Sequence, residues 1–156
     1  MSSAASARDA ALAVRPAWLS ECAQLAALAS AVLPEAWSEA QLSSEIALPE
    51  GRVWIARREG GLIGFLVARR ELDELHILLT GVAPRARRSG AASRLFEALL
   101  SHERGLARVH LEVREGNLGA LAFYRTLGLE PVGRRPRHYP DGDTAVLMSR
   151  TLEPRG

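Results

Sequence analysis

One run of residues has the chemistry of an anion site: Arg85-Ala86-Arg87-Arg88-Ser89-Gly90-Ala91-Ala92. It follows a β-rich stretch that Pro84 closes, and it leads into a stretch with helical periodicity. A helix beginning there exposes backbone N–H groups that have no partner within the helix, and the positive end of the helix dipole lies beside them. Gly90, Ala91 and Ala92 leave room for a phosphate or pyrophosphate to approach the backbone, and the arginines add charge. The run is not a Walker loop, because no Gly-Lys-Ser/Thr follows, and it lacks the three glycines of a dinucleotide fingerprint. A solvated basic turn would use the same residues, so the loop alone leaves two readings open.

The composition limits what can surround this run. The chain has 156 residues, 47% hydrophobic and 24% charged, which suits one soluble globular domain and excludes a disordered or collagen-like chain. The longest uncharged stretch, Cys22 to Pro34, is too short to span a bilayer. The start of the chain lacks a basic segment followed by an apolar run, so it does not read as a secretory signal. The one cysteine, Cys22, excludes an internal disulfide. His76, His102, His110 and His138 show no metal-ligand spacing, so no metal is expected. A cytoplasmic protein without membrane contact is expected. All 20 basic residues are arginine, yet the net charge is only +2. They cluster only at Arg85 to Arg94 and Arg134 to Arg137, which does not make a nucleic-acid surface.

The elements that must position the loop follow from periodicity. Leu12 to Arg15 alternates as a strand, and Pro16 is expected to open a helix carrying Leu19, Cys22, Leu25 and Ala26 up to Pro34. Ser38 with Gln41 forms a capping box for a second helix, flanked by Trp37 and Leu42. Val53–Ala56 and Leu62–Arg69 are strands around the Gly60-Gly61 turn, and Leu75–Val82 is a third. The helix after the basic loop carries Ala92, Leu95, Phe96, Leu99 and Leu100 on one face and ends at Gly105. Val109 to Arg114 alternates, placing Val109, Leu111 and Val113 on one face and His110, Glu112 and Arg114 on the other. Asn117 caps a helix that runs through Leu127, and Gly128 takes the left-handed position. Pro131 to Gly133 and Thr144 to Met148 read as two closing strands around a turn that bears arginine and tyrosine. A flexible segment, 1–10, precedes a single domain, 11–152.

The pattern Arg87-Arg88-Ser89-Gly90-Ala91-Ala92, between a strand and an amphipathic helix, resembles the coenzyme A pyrophosphate site of the GCN5-related N-acetyltransferases (GNAT). The order of elements over about residues 12 to 151 is similar to that family. Leu111-Glu112-Val113-Arg114, Asn117, Ala120 to Tyr124, Leu127-Gly128-Leu129, Trp37-Ser38-Glu39 and His138 to Gly142 resemble its RimI-type branch. That branch acetylates the N-terminal alanine of a small-subunit ribosomal protein. The pattern is departed from in three places: Ala92 stands for the loop's second glycine, His138-Tyr139 for a pair of aromatics, and Thr144 for an acidic residue.

The resemblance implies an α+β fold with a mixed, mostly antiparallel central sheet and helices on both faces, and acetyl-CoA as acetyl donor. Its contacts would come from Thr80, Gly81, Val82, Arg87, Arg88, Ser89, Gly90, Ala91, Ala92, Ser93, Asn117 and Tyr124. Tyr124 becomes the candidate acid for the departing thiolate, beside its reading as a half-buried tyrosine. Glu112 becomes the candidate base, beside its reading as a strand glutamate paired with Arg114. Glu74 and His76 are fallback bases. Trp37 and Tyr139 join them as candidate acceptor contacts, while His138 reads as a loop histidine. The implied acceptor is a protein or peptide N-terminus, ribosomal in this branch. A free amine (amino acid, polyamine or antibiotic) and an idle CoA-binding module are the alternatives. A monomer or weak dimer is expected.

Overall fold

Leu12–Pro16 forms β1, which runs antiparallel to β2, Gly51–Arg58, with Leu12 opposite Arg58 and Pro16 opposite Trp54. The computed structural model describes residues 12–59 and 61–153. The expected N-terminal segment 1–10 and Gly60 of the hairpin turn lie outside them. Pro16 does not open a helix. It ends β1, and Ala17 N–H continues the ladder by donating to the Val53 carbonyl at 2.8 Å. As an edge strand, β1 tolerates a residue without a donor. A 3₁₀ turn at Leu19–Glu21 intervenes before α1, Cys22–Val32.

The helix α2, Glu39–Ala47, starts at the expected capping box. Ser38 Oγ accepts from Gln41 N–H at 3.1 Å, and Gln41 Oε1 accepts from Ser38 N–H at 2.8 Å. Then come β3, Gly61–Glu71, and β4, Glu74–Val82. The helix α3, Ala91–His102, stops three residues before Gly105. Its buried stripe is Ala91, Leu95, Phe96 and Leu99, so the stripe begins one residue earlier than expected and Ala92 is left half-buried. The strand β5, Arg108–Arg114, the helix α4, Leu118–Thr126, and strands β6, Glu130–Arg135, and β7, Ala145–Thr151, complete the chain.

The sheet order is β1-β2-β3-β4-β5-β7-β6. β4 and β5 are parallel, and β5 with β7 and β7 with β6 are antiparallel. The residues group into two compact units. The first takes the chain as far as Ala68 and again from Leu79 to Glu103, and the second takes Arg69–Leu78 and everything from Arg104.

In the first unit Val53 to Ala56 and Ile63 to Ala68, apart from Gly64, are buried apolar residues.

 Leu25 of α1, Leu42 of α2, and Leu95, Phe96 and Leu99 of α3 are buried with these runs of β2 and β3. Strands buried on both faces lose the polar alternation that a half-exposed strand shows. In the second unit the core is Leu75, Leu106, Val109, Leu111, Val113, Leu127, Leu129 and Met148. Here β5 keeps strict alternation, with Val109, Leu111 and Val113 buried and the residues between them half-exposed. The helix α4 buries none of its residues, and Leu118 is 74% exposed. No helix among the described residues is long and apolar enough to cross a membrane.

Candidate active site

The anion loop belongs to the first unit. After β4, Ala83 N–H donates to the Ile63 carbonyl at 2.8 Å, and Pro84–Ala86 makes a 3₁₀ turn. Arg88 and Gly90 both have left-handed backbones, with φ of 63° and 83°. A left-handed conformation is costly for a side chain like arginine, and such strain gathers where a backbone is shaped for a purpose. Gly90 is the N-cap of α3 and, having no side chain, leaves the first turn without a side-chain cap. Ser89 Oγ reaches Ala91 N–H at 3.4 Å, and the helix's own bonding starts with Arg94 N–H to the Gly90 carbonyl at 2.9 Å. A Cβ built on Gly90 meets nothing within 4 Å. There is therefore open space beside Gly90 at the helix start, as an anion site requires. Arg87, Arg88 and Arg94 are exposed. Arg85 is turned back, donating to the Leu62 carbonyl at 3.4 Å.

On β4, Thr80 Oγ1 is buried and has no hydrogen-bond partner among the described residues. Gly81 is needed for side-chain packing. A Cβ there would lie 2.5 Å from the Phe65 ring and 2.9 Å from Val32. Trp37, in the same unit, is half-buried immediately before the Ser38 cap.

The second unit carries the titratable groups. Along the polar face of β5 stand Arg108, His110, Glu112 and Arg114. Glu112 is not paired with Arg114 as the strand reading allowed. Its Oε2 lies 3.0 Å from His138 Nε2, and its Oε1 lies 3.7 Å from an Arg135 guanidinium nitrogen. Arg114 turns instead to the loop between β6 and β7. It donates to both oxygens of Asp141 at 2.8 Å, and its guanidinium lies 4.1 Å over the Tyr139 ring. The Asp143 backbone N–H, and then Arg114, hold the Asp141 carboxyl below its ordinary range.

His138 was expected to be an ordinary loop histidine; the structure sets it against Glu112. The two are far apart in sequence, and no local pattern joins them. The topology does: β7 lies beside β5 with Ala145 opposite Arg114, so the residues preceding Ala145 arrive at the C-terminal end of β5.

The fallback bases are engaged elsewhere. Glu74 accepts from Arg108 at 2.8 Å and lies 3.4 Å from His110 Nε2. The bond from Arg108 lowers its pKa. His76 stacks on His110 with ring centroids 4.6 Å apart. Burial, and next the neighbouring His76, lower the His110 pKa. Asn117 Oδ1 caps α4 by accepting from Ala120 N–H at 3.1 Å, which leaves its amide N–H₂ group outside the cap. Tyr124 is half-buried on α4, its ring 5.2 Å from that of Phe123. Among the described residues no group of three or more His, Cys, Asp or Glu side chains could hold a metal ion.

Comparison with known proteins adds an independent line. The family described as "Acetyltransferase (GNAT) family" matches residues 22–129. The chain is 36% identical over 119 residues to the N-alpha-acetyltransferase RimI of Mycobacterium tuberculosis, covering 73% of this chain and 75% of that protein. It superposes on the ribosomal-protein-S18-alanine N-acetyltransferase of Escherichia coli with a TM-score of 0.84 and 25% identity, over 93% of this chain and 96% of the other. For Ard1 of Thermoplasma volcanium the TM-score is 0.83 and the identity 29%, over 92% and 99% of the two chains.

Proposed function

Since this chain belongs to the GNAT acetyltransferase family, and is thereby an acetyl-CoA-dependent N-acetyltransferase, we propose that its acceptor is the N-terminal α-amine of a protein. Within that class we propose the N-terminal alanine of a small-subunit ribosomal protein. One observation carries the choice of acceptor: two relatives that are 36% and 32% identical are named as an N-alpha-acetyltransferase and as a ribosomal-protein alanine N-acetyltransferase.

The residues present fit an acyl-CoA. The first turn of α3 is uncapped beside open space at Gly90, suiting a pyrophosphate. Thr80 offers a buried hydroxyl with no partner among the described residues, which suits the polar arm. In the second unit, the Asn117 amide lies outside its cap and α4 buries none of its residues. The bound coenzyme supplies an acetyl thioester. Arg87, Arg88 and the backbone of Ser89 to Ser93 would hold its phosphates, and Thr80, Gly81 and Val82 would line the arm. Trp37 and Tyr139 border the acceptor.

Glu112 takes a proton from the acceptor's ammonium group, which frees the nitrogen lone pair for the acetyl carbon. Tyr124 gives its hydroxyl proton to the departing thiolate and regains one from solvent. The demand on Glu112 is modest for an N-terminus. An α-amine with pKa of about 8 is about one-tenth neutral at pH 7, whereas a lysine amine near about 10.4 is neutral less than about once in a thousand.

The test is Glu112→Gln, with kcat/KM for an alanine-starting peptide measured from about pH 6 to about pH 9.5 beside wild type. At low pH nearly all the amine is protonated and the base matters most; above its pKa of about 8 the amine is mostly neutral. The deficit of the variant should therefore shrink as pH rises. A deficit that stays constant across the range removes Glu112 from proton transfer. A panel of small amines run alongside, turned over faster than the peptide, would overturn the N-terminal acceptor.

A further inference from the structure

We propose that His138 is a positioning residue for Glu112, fixing the direction in which the carboxylate meets the acceptor amine; this rests on the role proposed above for Glu112. The Nε2 atom of His138 lies 3.0 Å from Glu112 Oε2, a close polar contact with the carboxylate. Arg135 is farther from the other oxygen, at 3.7 Å, and its side chain is 58% exposed. One carboxylate oxygen is thus engaged at close range, and Oε1 is the one left to receive the proton of the ammonium group. That proton moves from nitrogen to Oε1 and on to solvent, while Nε2–H stays with the histidine.

His138 is itself held from several directions. Its ring meets Tyr139 edge-on, with centroids 4.9 Å apart and planes at 88°. Tyr139 lies under the Arg114 guanidinium, which Asp141 grips through both oxygens. The backbone N–H groups of His138 and Tyr139 donate to the Asp143 carbonyl at 3.1 and 3.3 Å. Asp141 in turn accepts from Asp143 N–H at 3.0 Å. Arg114 stands two residues beyond Glu112 on the same face of β5. One strand therefore carries both the carboxylate and the anchor of the loop that orients it. A side chain held this way fixes its partner more sharply than a mobile loop residue could.

The experiment compares wild type with His138→Leu, His138→Gln, His138→Asn, Glu112→Gln and the Glu112→Gln/His138→Leu double variant. It measures kcat and the KM values for an alanine-starting peptide and for acetyl-CoA, each varied with the other saturating, and melting temperature. His138→Leu should lower kcat about tenfold to hundredfold, the cost of a misdirected catalytic group, with the KM for acetyl-CoA unchanged. His138→Gln, whose amide N–H reaches the place of Nε2, should recover most of the loss. His138→Asn, one carbon shorter, should not. With Glu112→Gln already present, His138→Leu should cost nothing more, because residues acting through one another are not additive.

If His138→Leu does not fold, the glutamine and asparagine pair carries the comparison. Equal activity of those two, no loss in His138→Leu, or a full additive loss in the double variant overturns the proposal. No turnover of the peptide by wild type, or no effect of Glu112→Gln, overturns the functional reading on which it rests.

Discussion

Replacing Glu21 by glutamine removes one negative charge from beneath two arginines and leaves the shape nearly unchanged. Glu21 is 5% exposed. Its Oε1 accepts from Arg15 at 2.9 Å and from the Trp18 backbone N–H at 2.8 Å, and its Oε2 accepts from Arg15 at 2.8 Å and from Arg57 at 2.9 Å. The network ties β1, the 3₁₀ turn and β2 together. The bonds from Arg15, and after them those from Trp18 and Arg57, outweigh burial and hold the carboxyl at about 2, against an ordinary 4.5.

Because the folded pKa is depressed, the stabilisation is complete above the unfolded value and is lost as pH falls toward the folded one. At about 1.4 kcal/mol per pKa unit the shift is worth about 3 kcal/mol at pH 7, and about 1 kcal/mol of that survives at pH 3. A total stability of about 5–15 kcal/mol makes such a loss conspicuous. Urea unfolding of wild type and Glu21→Gln at pH 7 and at pH 3 measures it. The gap between the two proteins should narrow by about 2 kcal/mol in acid. A gap of the same size at both pH values would refute the assignment of the shift to the arginine-bound carboxylate.

Two further outcomes concern the site. Gly90→Trp should abolish acetyl-CoA binding in calorimetry. Gly90→Asn, which tolerates φ of 83°, should bind better than Gly90→Ala if backbone strain dominates, and no better if the space beside the backbone does. Binding by Gly90→Trp equal to wild type would remove the loop from the coenzyme site. Tyr124→Phe should lower kcat by about 10²–10⁴-fold with coenzyme affinity nearly intact. An unchanged kcat, with chemistry shown to be rate-limiting, would move the acid elsewhere.

Most of the elements, and the basic loop, are legible in local sequence. The capping box at Ser38 and Gln41, the alternation of Val109, Leu111 and Val113, the Asn117 cap and the left-handed Gly128 are all local, each set by residues within a few positions of one another. The same is true of the uncapped helix start at Gly90. Local rules failed where a distant partner intervened. Pro16 looked like a helix start, but pairing with Trp54 kept it extended. Glu112 looked like the partner of Arg114, two residues away on one face, yet each found a group on the loop between β6 and β7. Only the tertiary structure made those pairs, because strand order and register decide which loop ends beside which strand. A charge on an exposed strand face carries no mark in the sequence of the side chain that will come to meet it.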